Sequence, residues 1–431
     1  MSFPKYPAYK NSGVEWLGEV PEHWDVRPLK YGMRLLTEKS NRRTNPVALE
    51  NIEGWSGRFV PTETEFIGDG VAFEEGDILF GKLRPYLAKA FLASRSGEAV
   101  GDFHVLRPVR GLVPRFAQQQ LLERTFIEIV DGSTFGSKMP RASWDFIGSM
   151  PMLVPPPDEQ TTIANFLDRE TAKIDALVTE QERLIALLKE KRQAVISHAV
   201  TKGLDPSVPM KDSGVEWLGE VPEHWAVKPI KHLASLFGGA TPSREVLAYW
   251  HGAIPWVSPK DMKAESITDS EEKITDAGLK SCATSLVPQG TALLVVRSGI
   301  LKHTIPVAIN KCPVSLNQDM KALSFQPSVM SSRFFLRFVQ GLNDTLLLQW
   351  SKQGATVESL EQNYLVNTSI PVPPTHEQTA IATFLDRETA KIDALVAEAQ
   401  RAITVLQERR SALISAAVTG QIDVRQHARQ G

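Results

Sequence analysis

The segment Gly81-Lys82-Leu83-Arg84-Pro85-Tyr86-Leu87-Ala88-Lys89 gathers three cations and one aromatic ring at the end of an apolar run. Cations at the mouth of a strand can clamp phosphates or donate to guanine edges. Ser133, Thr134, Ser137, Lys138 and Arg141 form a second polar loop in the same half of the chain. In the other half, Arg297, Ser298, Lys302 and His303 occupy the corresponding place after an apolar run. Lys352, Gln353 and Thr356 echo the second loop, and Asn317, Gln318 and Asp319 add a further polar group. For any one of these residues a solvated surface position competes with a base contact. Their recurrence at equivalent places in both halves favours contact with nucleic acid.

Other chemistries find no support. Gly76, Gly81 and Lys82 have phosphate-loop spacing, but Leu83 stands where a Ser or Thr would hold magnesium. Ile78, Leu79 and Phe80 read as a buried strand, and the equivalent Gly290–Arg297 segment loses the second glycine. No His-Glu-x-x-His, no Gly-x-Ser-x-Gly and no Asn-Pro-Pro-Tyr/Phe tetrad of amino-methyltransferases occurs. The nine histidines are scattered, and His23 and His224 recur only within a repeated arm, where a structural role is expected. Cys282 and Cys312 are too few for a disulfide framework or a thiolate zinc site. No catalytic, cofactor-binding or metal-ligating residue is therefore expected.

The 431 residues predict two to three domains, and 42% hydrophobic with 23% charged content describes a folded globular chain. No apolar run approaches a membrane span, and MSFPKYPAYK lacks the apolar core of a secretory signal. A reducing cytoplasm is the expected location. The net charge of −2 contrasts with the basic footprint of a nucleic-acid binder. The acidity is concentrated, however, in Glu15, Glu19, Glu22 and Asp25 of the first repeated arm, and the inserts carry a mild basic excess.

What positions these groups is a doubled frame. Lys10–Lys30 recurs at Lys211–Lys231, 201 residues on, and Phe166–Val178 recurs unchanged at Phe384–Val396, 218 residues on. The second insert is thus 17 residues longer. The arms are punctuated by glycine and proline, which excludes a continuous helix. Each presents Trp16, Leu17 and Trp24, or Trp217, Leu218 and Trp225, as anchors on the chain itself or on a partner. Long helices follow the Pro-rich stops VPPPDEQ and VPPTHEQ, with Asp158 expected as an N-cap and Gly203 as a stop. Leu167, Ile174, Leu177, Leu184 and Leu188 outline one coiled-coil seam, and Leu385, Ile392, Leu395 and Leu406 the other. Gln181 and Ala399 are expected to weaken it. About 40 residues give rods of roughly 60 Å. Antiparallel pairing of the two rods is expected; packing of each on its own insert is the alternative.

The inserts share a plan: a strand at Asp77–Phe80 or Ala292–Val296, then one at Phe103–Arg107 or Lys321–Phe325. An amphipathic helix at Pro114–Val130 or Ser331–Trp350 follows, then a Gly-containing loop and a closing strand. This is an α+β domain, duplicated and diverged.

SGVEWLGEVPEHW twice, GKLRPYLAKAF, GDFHVLRP, GGATPSREVLAYW, IPWVSPKDM, NQDMKAL and the two PP-x-x-EQ helices together resemble a type I restriction–modification specificity subunit, over nearly the whole chain. The resemblance implies two pseudo-symmetric α/β target-recognition domains joined by two long antiparallel coiled-coil helices. Its segments would be a conserved arm (1–26), recognition domain 1 (27–157), a central long helix (158–203), a second arm (204–227), recognition domain 2 (228–375) and a distal long helix with tail (376–431). It further implies a non-catalytic subunit that reads a bipartite double-stranded DNA target. Two methyltransferase subunits, with S-adenosylmethionine, and nuclease/translocase subunits, with ATP and magnesium, would act at that target. The DNA-contact candidates are Lys82, Arg84, Tyr86, Lys89, Ser133, Thr134, Lys138, Arg141, Arg297, Ser298, Lys302, Gln353 and Thr356. The alternatives are a protein-binding scaffold and a fused methyltransferase or nuclease chain.

Overall fold

The computed structural model describes all residues except 1–2, 41–43, 63–69, 135, 137, 353, 355–356 and 427–431. It resolves into two compact units, Met1–Glu182 with Gln400–Gly431, and Arg183–Ala399. Each unit holds one arm, one insert and part of each long helix. Among the described residues, no helix is long and apolar enough to cross a membrane.

In the first unit the arm is a short hairpin, Tyr9–Asn11 against Glu19–Pro21. Gly13 and Gly18 supply the left-handed backbone of its turn (φ +74° and +60°). Asp25–Pro28 then pairs antiparallel with the closing strand Pro151–Val154. The main sheet runs Met33–Leu36, Phe103–Pro108, Ile78–Gly81, Ala90–Leu92. Ile78, Leu79 and Phe80 are fully buried, as an unbroken apolar run in a central strand requires. A second sheet runs Lys39–Ser40, Gly70–Phe73, Gly97–Val100, Pro46–Val47. The second unit repeats the arm hairpin (Met210–Asp212 with Glu220–Pro222) and the closing pair (Ala226–Pro229 with Ser369–Val372). Its main sheet runs Ala234–Gly238, Met320–Phe325, Ala292–Val295, Val307–Asn310, Ser266–Ile267.

The single insert helix expected in each half is two helices. In the first unit they are Pro114–Leu121 and Arg124–Gly132. Glu123 makes the break by capping the second helix, accepting from Phe126 N at 2.7 Å, and it also accepts from Ser415 Oγ at 2.8 Å. In the second unit they are Ser332–Gly341 and Asn343–Trp350. There Gly341 lies so close to the central helix that a Cβ would stand 2.9 Å from Ile196 Cγ2.

The long helices span Pro157–Lys202 and Thr375–Val418, 46 and 44 residues. At 1.5 Å per residue they run about 69 and 66 Å. The central helix starts at Pro157, so Asp158 sits in its first turn beside Glu159 rather than at the cap. Proline suits that first position because its missing N–H would be unpaired there anyway. Within the first unit, Ile163, Ala164 and Leu167 share a core with Ile414, Ala417 and Val418, and Arg410 Nε donates to Asp175 Oδ1 at 3.0 Å. Within the second, Ile196, Ala199 and Val200 share a core with Ile381 and Leu385, and Arg192 Nε donates to Asp393 Oδ1 at 3.0 Å. Inside each unit the helix halves thus pair antiparallel, through the same ion pair displaced by the repeat.

The seam is not the line of leucines. Leu177, Leu184 and Leu395 are 52%, 43% and 50% exposed. The buried or half-buried line runs through Leu167, Thr171, Ile174, Val178, Gln181, Ile185, Leu188, Arg192, Val195 and Ala199 at alternating steps of four and three. The distal line is Leu385, Thr389, Ile392, Val396, Ala399, Ile403, Leu406, Arg410, Leu413 and Ala417. A heptad stripe is narrow, and a shift of one residue turns a side chain by about 100° out of it. Thr171 and Thr389 tolerate burial because each hydroxyl donates to the carbonyl four residues back, at 2.7 Å. Ala399, expected to weaken the seam, is 3% exposed and packed within it.

Arm, insert and long helix meet at the Glu-Gln pair in the first turn of each long helix. Glu159 accepts from Trp24 Nε1 at 3.1 Å and pairs with His23 Nε2 at 2.7 Å. Glu377 does the same with Trp225 and His224, at 2.9 and 2.6 Å. Gln160, fully buried, accepts from Val113 N and donates to Gly111 O and Pro155 O. Gln378 repeats this with Ser331 N, Val329 O and Pro373 O. Trp24 and Trp225 are 0% exposed, and Leu17 and Leu218 are 7% and 6% exposed. These four arm residues pack inside the chain rather than facing a partner; Trp16 and Trp217 are half-buried.

Candidate nucleic-acid interface

Because Ile78–Gly81 pairs with Phe103–Pro108, the exit of one strand lies beside the entry of the other. Lys82 N donates to Asp102 O at 2.9 Å across that junction. The loop after the insert helices returns to it: Ala142 N donates to Lys82 O, Arg84 N to Pro140 O, and Leu83 bridges to Arg141. On this frame the Asp102 carboxylate accepts from Arg141 Nε and Nη2, both at 2.9 Å, with Lys82 Nζ 3.8 Å away. The Asp102 bond holds the Arg141 guanidinium above its ordinary pKa, so it stays charged. His104 lies beneath, bonded to Ala142 O at 3.0 Å, and burial pushes its imidazole below the usual range.

Arg84 and Ala88 both adopt left-handed backbone (φ +50° and +47°) and bracket the turn Pro85–Leu87. For non-glycine residues this conformation costs of order 1–3 kcal/mol and marks sites where direction matters. Arg84 is exposed and Tyr86 is 48% exposed. Trp55, also left-handed (φ +64°) and 39% exposed, bonds from its N to Ala88 O at 2.8 Å. An adjoining groove of about 750 Å³ carries Glu53, Glu128, Asp131, Asp175, Glu182 and Glu408 against Arg58, Arg124 and Arg410. Its excess of carboxylates disfavours phosphate there.

The second unit builds the same frame. Val296 N donates to Asp319 O at 2.8 Å, Leu360 N to Val296 O, Ser298 N to Glu358 O, and Arg297 bridges to Ser359. Register therefore equates Lys82 with Val296, Leu83 with Arg297, Arg84 with Ser298 and Arg141 with Ser359. Arg297 Nε donates to Asp319 Oδ1 at 2.6 Å, and Asn317 Nδ2 supports that carboxylate at 3.3 Å. Lys302 is exposed at the end of the turn Gly299–Lys302, and Ser298 caps that turn, accepting from Ile300 N at 3.5 Å.

Three candidates have other duties. Lys89 Nζ donates to Leu49 O at 2.6 Å, tying two loops together. Ser133 Oγ and Thr134 Oγ1 donate to Val130 O and Asp131 O, closing the end of a helix. Short hydroxyl side chains at a helix end find the last carbonyls before they find a ligand. Lys138 is exposed. Gln353 and Thr356 lie outside the described residues.

Residues 222–404 match the model of the type I restriction modification DNA specificity domain. The EcoR124I/EcoR124II specificity subunit of Escherichia coli is 29% identical over 251 residues, 58% of this chain and 56% of that one. The MjaIX specificity subunit of Methanocaldococcus jannaschii is 34% identical over 171 residues, 39% of this chain and 38% of that one. The match thus spans about half the length of these curated relatives or less. A solved chain of a type I R-M system, studied for complex assembly and conformational transition, has the same fold, with TM-score 0.69. It is 17% identical and covers 93% of this chain and 98% of its own. The chain is thus similar to type I restriction–modification specificity subunits and shares the fold of a solved chain of such a system.

Within this chain, sequence reasoning passed over Asp102, Trp55 and the Glu159-Gln160 pair, and saw in Asp319 only a polar group. Asp102 stands outside the polar loops that the sequence singles out. Its bidentate hold on Arg141 needs the strand register to be known. Trp55 lies far in sequence from Arg84, and its bond to Ala88 O brings it to the same turn. The recurrence of Glu-Gln at equivalent positions was the available signal for the anchor.

Proposed function

We propose that this chain is the DNA sequence-recognition subunit of a type I restriction–modification complex. Each recognition domain reads one half of a bipartite duplex target, and the paired long helices set the spacer between the halves. The chain does no chemistry in this reading. Adenine methylation with S-adenosylmethionine, and ATP- and magnesium-dependent restriction, belong to partner methyltransferase and nuclease subunits. Trp16 and Trp217, half-buried on the arms, are the arm residues offered to two methyltransferase subunits.

One observation carries this. The two recognition loops share hydrogen bond for hydrogen bond one backbone frame, yet Lys82, Leu83, Arg84 and Arg141 become Val296, Arg297, Ser298 and Ser359. A frame kept while its outward side chains change is what two readers of unlike sequences need, since base identity is read by side-chain edges. A protein-binding scaffold has no need of exposed, left-handed Arg84 beside Tyr86.

The test is methylation sequencing of DNA modified by the complex of this chain with its methyltransferase subunit. A bipartite adenine motif is expected; random or absent modification would overturn the reading. In the same complex, Arg84→Ala with Lys138→Ala should lower the slope of log affinity against log salt by about one unit for each phosphate no longer neutralised. An unchanged slope removes both from the phosphate interface.

A further inference from the structure

In each unit an arginine is held by an aspartate at the same point of the frame, but the arginine comes from opposite sides. In the first unit it is Arg141, on the returning loop; in the second it is Arg297, on the strand exit. These are the two partners of one bridge, Leu83 with Arg141 and Arg297 with Ser359. The aspartates, Asp102 and Asp319, do not move: each backbone carbonyl takes the N–H of the strand exit, from Lys82 or Val296. Duplication followed by drift explains a pair inherited at matching positions. It does not explain a pair rebuilt from the other side of the bridge around an unchanged acid.

The geometry leaves the reading edge open. Arg141 spends Nε and Nη2 on Asp102, and Arg297 spends Nε on Asp319, so Nη1 of both takes no partner among the described residues. Their side chains are 48% and 52% exposed, against 20% and 21% for the aspartates. An arginine pinned at its inner edge is a flat, pre-set fork with N–H groups directed outward. Guanine, with O6 and N7 acceptors side by side in the major groove, is the base that such a fork matches. The carboxylate also cancels the cation's charge. A neutralised arginine adds little to phosphate attraction, which is charge-driven, and keeps its donors for a base edge.

We infer that Arg141 and Arg297 are the guanine readers of their respective half-sites, and that Asp102 and Asp319 are positioning residues that fix them and suppress their attraction to phosphate. This rests on the DNA-reading function proposed above and assigns a base type to one side chain in each domain.

The experiment uses the full chain in complex with its methyltransferase subunit. Arg141→Ala, Arg141→Lys, Asp102→Asn, Arg297→Ala and Asp319→Asn are each scored by the methylated motif and by a salt titration. Arg141→Ala and Arg141→Lys should relax one guanine in one half-site, by about 5- to 150-fold for a bidentate contact. The other half-site and the salt slope should stay as they were. Arg297→Ala should do the same in the other half-site. Asp102→Asn and Asp319→Asn should relax the same guanines while steepening salt dependence by about one unit, because a cation is uncovered. An unchanged motif in Arg141→Ala, with methylation retained, overturns the assignment, as does relaxation at a position other than guanine. A salt slope reduced by about one in Arg141→Ala identifies a phosphate contact and overturns it equally. A merely structural clip would lower methylation at every position without changing the motif, which also overturns the assignment. Absence of any motif in the unsubstituted complex would instead strike the DNA-reading function itself.

Discussion

Replacing Gln160 by Ala tests whether the long helix and the first insert are one mechanical piece. Gln160 is 0% exposed and makes three hydrogen bonds, to Val113 N at 2.7 Å, Gly111 O at 3.0 Å and Pro155 O at 2.8 Å. All three partners are backbone groups that the alanine side chain leaves unpaired. At about 1 kcal/mol net for each bond, the loss is about 3 kcal/mol. The unit concerned has more than 200 residues. For that size a loss of about 3 kcal/mol lowers the melting temperature by roughly 6–12 °C. Scanning calorimetry of the full chain would record this in the transition of the first unit, and Gln378→Ala should lower that of the second by a similar amount. Gln400→Ala, exposed on the distal helix, is the control and should stay within about 0.5 kcal/mol of the unsubstituted chain. A shift below about 2 °C for Gln160→Ala would refute the anchoring argument, because water or a shifted loop would then be pairing those groups.

Two further outcomes follow from the helices and from the second insert. Inserting one heptad into each long helix, after Glu182 and after Arg401, keeps the seam in phase and lengthens the connection by about 10 Å. At 3.4 Å per base pair the methylated motif should gain about three base pairs of spacer with both halves intact, and an unaltered spacer would count against the helices as rulers. Separately, the hydrogen bond from Arg244 holds the Glu272 carboxyl below its ordinary value of 4.5. A carboxyl depressed by folding contributes stability that is present above that value and lost on further acidification. Arg244 lies 4.1 Å from the Trp250 ring centre and 5.2 Å from that of Trp256. Tryptophan emission should therefore step below about pH 4.5, and the step should vanish in Glu272→Gln; a step that persists would assign it to other groups.

The amino-acid sequence by itself determined the doubling of arms and helices, the α+β inserts, and strands at Asp77–Phe80 and Ala292–Val296, which the structure places at Ile78–Gly81 and Ala292–Val295. These are local or repeated patterns: an unbroken apolar run can only be a buried element, and a letter-for-letter repeat can only build the same element twice. Tertiary structure decided which face of each helix is buried. Leu177 and Leu395 are apolar, yet Thr171, Gln181 and Arg192 line the seam, because phase around a helix is set by the partner surface. It also decided that Trp24 and Trp225 close on Glu159 and Glu377, and that Lys89, Ser133 and Thr134 spend their donors on carbonyls. Above all it decided the meeting of Arg141 with Asp102 and Arg297 with Asp319. Those partners are 39 and 22 residues apart; the returning loop, bridged to Leu83, delivers Arg141, and strand pairing delivers Arg297.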